Sequence, residues 1–118
     1  METIKFRIYD KKQKKIIESG ATPMMLKSFF EYTAVLHTRD KMPYLQFTGL
    51  TDKNGKEIYE GDIISDGVSK SLIAKNLFHN NFGIVDLPLQ EQCREFDVEY
   101  LKKCGVIGNI YENPNLLK

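Results

Sequence analysis

Three kinds of feature are missing from this chain of 118 residues, and each absence removes a class of protein. No apolar run comes near the roughly 20 residues that a helix needs to cross a bilayer, and the start carries no apolar signal segment. A cytoplasmic protein with no membrane partner is therefore expected. Cysteine is scarce, Cys93 and Cys104 being the only two. Two cysteines make no disulfide framework, so reduced and at least partly buried thiols are expected. One-signed charge is missing as well, because 17 Lys and Arg against 16 Asp and Glu leave a net charge of +1. That balance supplies no global field to collect nucleic acid or an anionic membrane, and any such binding needs a local patch.

Chemical motifs are equally sparse. Gly49, Gly55 and Gly61 are spaced as turns and open no helix, so neither common phosphate-binding glycine motif is present. There is no Gly-x-Ser-x-Gly elbow and no His-Glu-x-x-His. His37 and His79 stand alone in sequence, and a thiol–imidazole pair with Cys93 or Cys104 has no local motif behind it. The expectation is a non-enzymatic protein with no catalytic residue, metal or cofactor.

What the chain does contain is β patterning punctuated by turns. A hydrophobic fraction of 42% and a charged fraction of 28% suit one globular domain spanning residues 1–118. Thr3 to Tyr9 alternates, with Ile4, Phe6 and Ile8 on one face and Lys5, Arg7 and Tyr9 on the other. Lys15 to Glu18 is a short return strand. Thr22-Pro23 reads as a helix start, after which Met24, Met25, Phe29, Tyr32 and Leu36 can share a face. The β-favouring run Tyr32 to Leu36 suggests that this helix ends near Glu31 and yields to a strand. Met42 to Thr48 is the next strand. Val68 to Phe78 fits either a strand or a short amphipathic helix, and 79–81 is loop. Phe82 to Leu87 is a strand broken by Pro88. Asp97 can cap a helix from Val98 to Cys104, with Gly105 as its terminator. A last strand, Val106 to Tyr111, stops at Asn113-Pro114. The sum is a mainly β (α+β) domain with about two short helices.

The densest instructions lie in Gln46 to Ile64. Asn54-Gly55 supplies positive φ between two strand arms. A two-residue loop would oppose Lys53 to Lys56 and Asp52 to Glu57, both like-charge pairs. A three-residue loop with Gly55 as bulge glycine sets Asp52 against Lys56, Leu50 against Ile58 and Gly49 against Tyr59. The charges favour the second. Tyr59-Glu60-Gly61-Asp62 is then a tight turn feeding a strand from Asp62.

Two clusters are candidates for chemistry. Glu57, Glu60 and Asp62 are close in sequence, but a strand and a turn send them in different directions. They read as solubilising groups plus a turn-stabilising Asp62. Lys11, Lys12, Lys14 and Lys15 form a basic turn that Lys5 and Arg7 would extend across the outer face of the first strand, with Tyr9 as a stacking surface. The bland reading is a solvated hairpin tip whose lysines discourage strand pairing.

The order of several runs resembles the YopX-like family of phage and prophage proteins. They are Ile4-Lys5-Phe6-Arg7 with Asp10, Gln46-Phe47-Thr48-Gly49-Leu50, Asp52 through Ile63, and Val106 through Pro114 followed by Leu116-Leu117. The matching positions Gly49, Asn54, Gly55, Tyr59, Gly61, Asp62, Gly108, Asn109 and Pro114 are turn and packing residues. The resemblance implies a small β-rich phage-encoded protein with a partly open, SH3-like barrel, acting in a bacterial cytoplasm, and carries no activity with it. The leading expectation is an accessory module that engages a host or phage protein, or itself as a homo-oligomer through an exposed barrel edge. The alternative is a nucleic-acid-binding regulator using Lys11 to Lys15.

Overall fold

The computed structural model describes residues 3–76, 81–89, 92–95 and 97–118. His79 and the Leu77–Phe78 end of the ambiguous segment lie outside the described residues. Among these residues the class is mainly β with two helices, and nine strands form two antiparallel sheets, one curled into a half-barrel. The first sheet has the order β2-β1-β3-β4: β1 is Phe6–Asp10, β2 Lys15–Glu18, β3 Leu45–Thr51 and β4 Glu57–Tyr59. The second has the order β8-β7-β6-β5-β9: β5 is Asp62–Ser65, β6 Lys70–Asn76, β7 Asn81–Asp86, β8 Arg94–Glu95 and β9 Gly105–Asn109. The segment that fitted either strand or helix is thus strand β6.

Helix α1 spans Pro23–Thr38 and overturns the expected switch to a strand near Glu31. Its start is as expected, with Thr22 Oγ1 accepting from the Met25 N–H at 3.1 Å. The β-branched run stays helical because tertiary contacts outweigh propensity. Phe29 and Leu36 pack with Ile8 and Met42, and the Thr33 hydroxyl donates back to the Phe29 carbonyl at 2.7 Å. Helix α2, Val98–Leu101, is capped by Asp97 but is shorter than expected, and Gly105 opens β9 instead of ending the helix.

The hairpin β3–β4 keeps its expected loop and departs from its expected register. Asp52 N–H donates to the Lys56 carbonyl at 2.8 Å, Gly55 N–H donates to the Asp52 carbonyl at 3.0 Å, and Gly55 has φ +81°. Beyond Thr51↔Glu57, however, the next pair is Phe47↔Tyr59, so Tyr59 does not lie over Gly49. Thr48, Gly49 and Leu50 bulge out against Ile58 alone. Gly49 turns the chain at φ +88°, and the Thr48 hydroxyl donates to the Ile58 carbonyl at 2.7 Å. Opposite the bulge, Ile58 and Tyr59 of β4 are both buried, on the two faces that strand alternation gives them. Ile58 enters the core with Ile64, Ile73, Ile84, Leu101 and Cys104, while the Tyr59 ring meets Phe47 at 5.4 Å between centroids.

The hairpin tip is anchored to the other sheet. Asp52 accepts N–H groups from Asn54 (2.8 Å), Lys56 (2.9 Å) and Val106 (2.8 Å), and Lys53 N–H reaches the Cys104 carbonyl at 3.0 Å. At the other end Gly61, at φ +87°, donates to Ile73 and accepts from Ile110. Gly108 is needed for close approach, since a Cβ there would sit 2.4 Å from Asn113 Oδ1. That oxygen caps the Asn109 N–H, and Pro114 opens a 3₁₀ turn over Pro114–Leu117.

Two stability outcomes follow from these turns. No heavy atom lies within 4 Å of a Cβ built on Gly55, so the strain in Gly55→Val is that of the backbone. The expected loss is about 1–3 kcal/mol in chemical denaturation, and an unchanged midpoint would mean that the turn geometry is wrong. Burial opposes the Asp52 charge, but the N–H groups of Val106, Lys56 and Asn54 outweigh it and hold the carboxyl below its ordinary value. Asp52→Asn is therefore expected to cost about 1–3 kcal/mol at pH 7. The deficit should shrink as pH falls below the ordinary value of 3.8 and through the lower folded one, where wild type loses the same charge.

Candidate functional site

The six cations expected to form one patch are divided by the fold. Asp10 caps the β1–β2 turn by accepting from Lys12 N–H (2.9 Å) and Gln13 N–H (3.2 Å), leaving Lys11, Lys12, Lys14 and Lys15 exposed at its tip. Lys5 instead pairs with Glu57 and lies over the Phe47 ring at 4.9 Å. Arg7 is buried at 7% exposure, pairs with Asp62, and stacks on Tyr59 at 3.9 Å. The outer face of β1 is thus covered, contrary to the half-buried strand that its alternation suggested. Tyr9 stacks on Tyr111 at 5.5 Å and offers no free ring beside the lysines.

Asp62 is the centre of this buried joint. Its Oδ2 accepts the Tyr59 N–H at 2.8 Å and its Oδ1 pairs with Arg7, whose other nitrogen lies 3.7 Å from Glu18. Burial pushes the Asp62 carboxyl up to about 6, the Arg7 charge and the Tyr59 N–H opposing that rise only in part. A cleft of about 560 Å³ opens at the joint, bordered by Arg7, Glu18, Lys56, Asp62, Asn109 and Glu112. Charges of both signs border it. Of the expected carboxylates, Asp62 is far more than a turn group, while Glu57 serves Lys5.

The remaining candidates for chemistry are committed locally. His37 Nδ1 is within 2.8 Å of the Met42 carbonyl, and its ring stacks on Tyr44 at 4.5 Å. Cys104 is a buried free thiol, whereas Cys93 is exposed, so only one of the two thiols is in the core as expected. Among the described residues no three His, Cys, Asp or Glu side chains gather as a metal site would require. No helix among them is long and apolar enough to cross a membrane.

The surface that stands out is α1. At about 100° per residue, Met24, Met25, Ser28, Tyr32 and Val35 fall on one arc, beside the arc of Phe29, Thr33 and Leu36 that faces β1. With Leu26, Phe30 and Ala34 they make roughly two thirds of the helix residues apolar or small, leaving Lys27, Glu31, His37 and Thr38 as its polar positions. The protein covers only half of that apolar surface. Met24 is 78% exposed, Met25 54%, Tyr32 71% and Val35 51%. A groove of about 720 Å³ runs between this arc and the outer strand β2, floored by Ile17 and Phe29 and walled by Met24, Met25 and Tyr32. Of the face read from the sequence, Phe29 and Leu36 pack on the core while Met24, Met25 and Tyr32 stay uncovered, a division visible only in three dimensions.

The Asp62 joint yields a pH test. Between pH 3.8, its ordinary value, and about 6, the folded chain holds the Asp62 proton that the unfolded chain has lost, so this group's contribution to stability falls as pH rises. In parallel denaturation curves, wild type is expected to lose ground steadily to Asp62→Asn across that window. A constant difference would show that Arg7 and the Tyr59 N–H outweigh burial.

Comparison with known proteins agrees with this geometry. The family described as YopX protein matches residues 5–118. Protein EF1440 from Enterococcus faecalis, known from a crystal structure, is similar at 25% identity and a TM-score of 0.63, with 100% of each chain covered. No curated protein matches the sequence. On the family match, which spans nearly the whole length and both ends of the Gln46–Ile64 signature, the chain belongs to the YopX family.

Proposed function

We propose that this chain is a non-enzymatic accessory module of a phage or prophage, working in the cytoplasm of the bacterial host by engaging a protein: a host or phage partner, or another copy of itself. The observation that carries this reading is the uncovered apolar arc of α1. A helix apolar over most of its circumference is ordinarily buried all round. Here it has a body on one side only, and its free side shows Met and Tyr, residue types enriched in protein interfaces. The ionisable groups that the fold does gather support the same reading. Arg7, Asp62 and Asp52 are spent on each other and on backbone N–H groups, which is the chemistry of a joint. With Lys5 and Arg7 committed to Glu57 and Asp62, the basic patch is reduced to the four lysines of a hairpin tip, so the geometry favours protein over nucleic acid.

A photo-crosslinking amino acid at position 32 tests this reading in cells that express the chain. Illumination is expected to give a discrete adduct from position 32 and none from position 68, where Val68 is 93% exposed in the β5–β6 turn of the second sheet. Equal yields at both positions, or no adduct at 32, would overturn the reading.

A further inference from the structure

We propose that the partner covering α1 is a second copy of this chain, added edge to edge at β2 so that the two first sheets become one continuous sheet with two antiparallel α1 helices on one face. This rests on the protein-binding reading and names its partner. The first ground is that two unpartnered features lie side by side. β2 pairs with β1 and has no strand on its other side among the described residues, and the groove under the uncovered arc of α1 opens directly beside it.

The backbone pattern of β2 determines how such pairing must occur. Ser19 N–H reaches the Phe6 carbonyl at 2.8 Å, and β2 pairs with β1 in the register Ile8↔Ile17 and Tyr9↔Ile16. By the alternation of an antiparallel ladder, the N–H and C=O of Ile16 and Glu18 point outward, and those of Ile17 point to β1. Opposed residues in such a ladder both point toward each other or both away. A two-fold axis through Ile17 satisfies this, with Ile16 of one copy exchanging both bonds with Glu18 of the other, and reciprocally. Ile17 then meets Ile17 of the second copy as a close, non-hydrogen-bonded pair. Its side chain lies on the α1 face, where it packs against the cluster of Ile8 and Phe29.

Charge and shape select the same arrangement. Antiparallel self-pairing brings the Lys15 end of one strand beside the Glu18 end of the other, whereas parallel pairing would set like charges together. The basic turns Lys11–Lys14 point away from each other for the same reason. A two-fold normal to the sheet also runs the two α1 helices antiparallel across the joint. Met24, Met25 and Tyr32 of each copy then close over both Ile17 side chains, with small Ser28 between them. Lys27 and Glu31, which pair with each other at 3.8 Å on the solvent side of α1, stay clear of the apolar contact. An isologous contact of this kind closes on itself and leaves no β2 edge open.

The test uses the full chain. Sedimentation equilibrium is expected to give a species of twice 13.7 kDa. Tyr32→Glu, at a position 71% exposed in the single chain, should raise the dissociation constant at least about tenfold. In a Cys93→Ser background, Ile17→Cys should form an intermolecular disulfide under mild oxidation, since paired Cα atoms about 4.5 Å apart are within disulfide reach. Ile16→Cys should not. A monomer at every concentration, or crosslinking at 16 as fast as at 17, overturns the proposal. A monomer whose position 32 still yields a discrete photo-adduct of another mass overturns this proposal alone. A monomer with no adduct overturns the protein-binding reading as well.

Discussion

The whole arrangement depends on one buried carboxylate. Asp62 stands at the first position of β5, so its backbone belongs to the second sheet, while its two oxygens hold Arg7 of β1 and the N–H of Tyr59 in β4. Three strands from two sheets thus meet on one side chain that is 1% exposed. Such a group is costly to bury and costlier to leave unpaired, so its partners must be in place whenever the chain is folded. That requirement explains why Arg7 is inside although it sits on a strand that alternates like a surface strand, and why Tyr59 lies flat beneath it.

Around this point the Gln46–Ile64 stretch works as a double hinge between the sheets. Its tip is held by Asp52 against Val106, and its far end is held by Gly61 against Ile73 and Ile110. Between them the Gly49 bulge shifts the register so that Tyr59 pairs with Phe47 and lies under Arg7, while Ile58 enters the core of the second sheet. A motif composed of such positions can be highly specific for a family and still say nothing about chemistry, because every demand on it is met inside the molecule. The same holds at the C-terminal end, where Gly108, Asn109 and Asn113 satisfy one another.

The outside of the molecule differs in kind. Polar groups at the joint are nearly all used, while apolar groups on α1 are not. Met24, Met25 and Tyr32 stand beside an unpaired strand edge, and both features are deficits that another protein surface can make good.

Local features were legible from the sequence because local physics sets them. The Thr22 cap, the Gly55 loop, the limits of β2 and the mainly β class follow from caps, turn glycines and alternation, each acting within a few residues. What tertiary structure decided is every case in which distant partners compete with local preference. Packing on β1 kept Tyr32 to Thr38 helical, a two-residue bulge moved Tyr59 from Gly49 to Phe47, and Asp62 drew Arg7 out of an expected surface patch. In the same way the sequence showed that α1 is amphipathic, and only the fold showed which part of its apolar surface the protein leaves uncovered. Burial depends on neighbours brought from tens of residues away, and a one-dimensional pattern carries no record of which of them arrive.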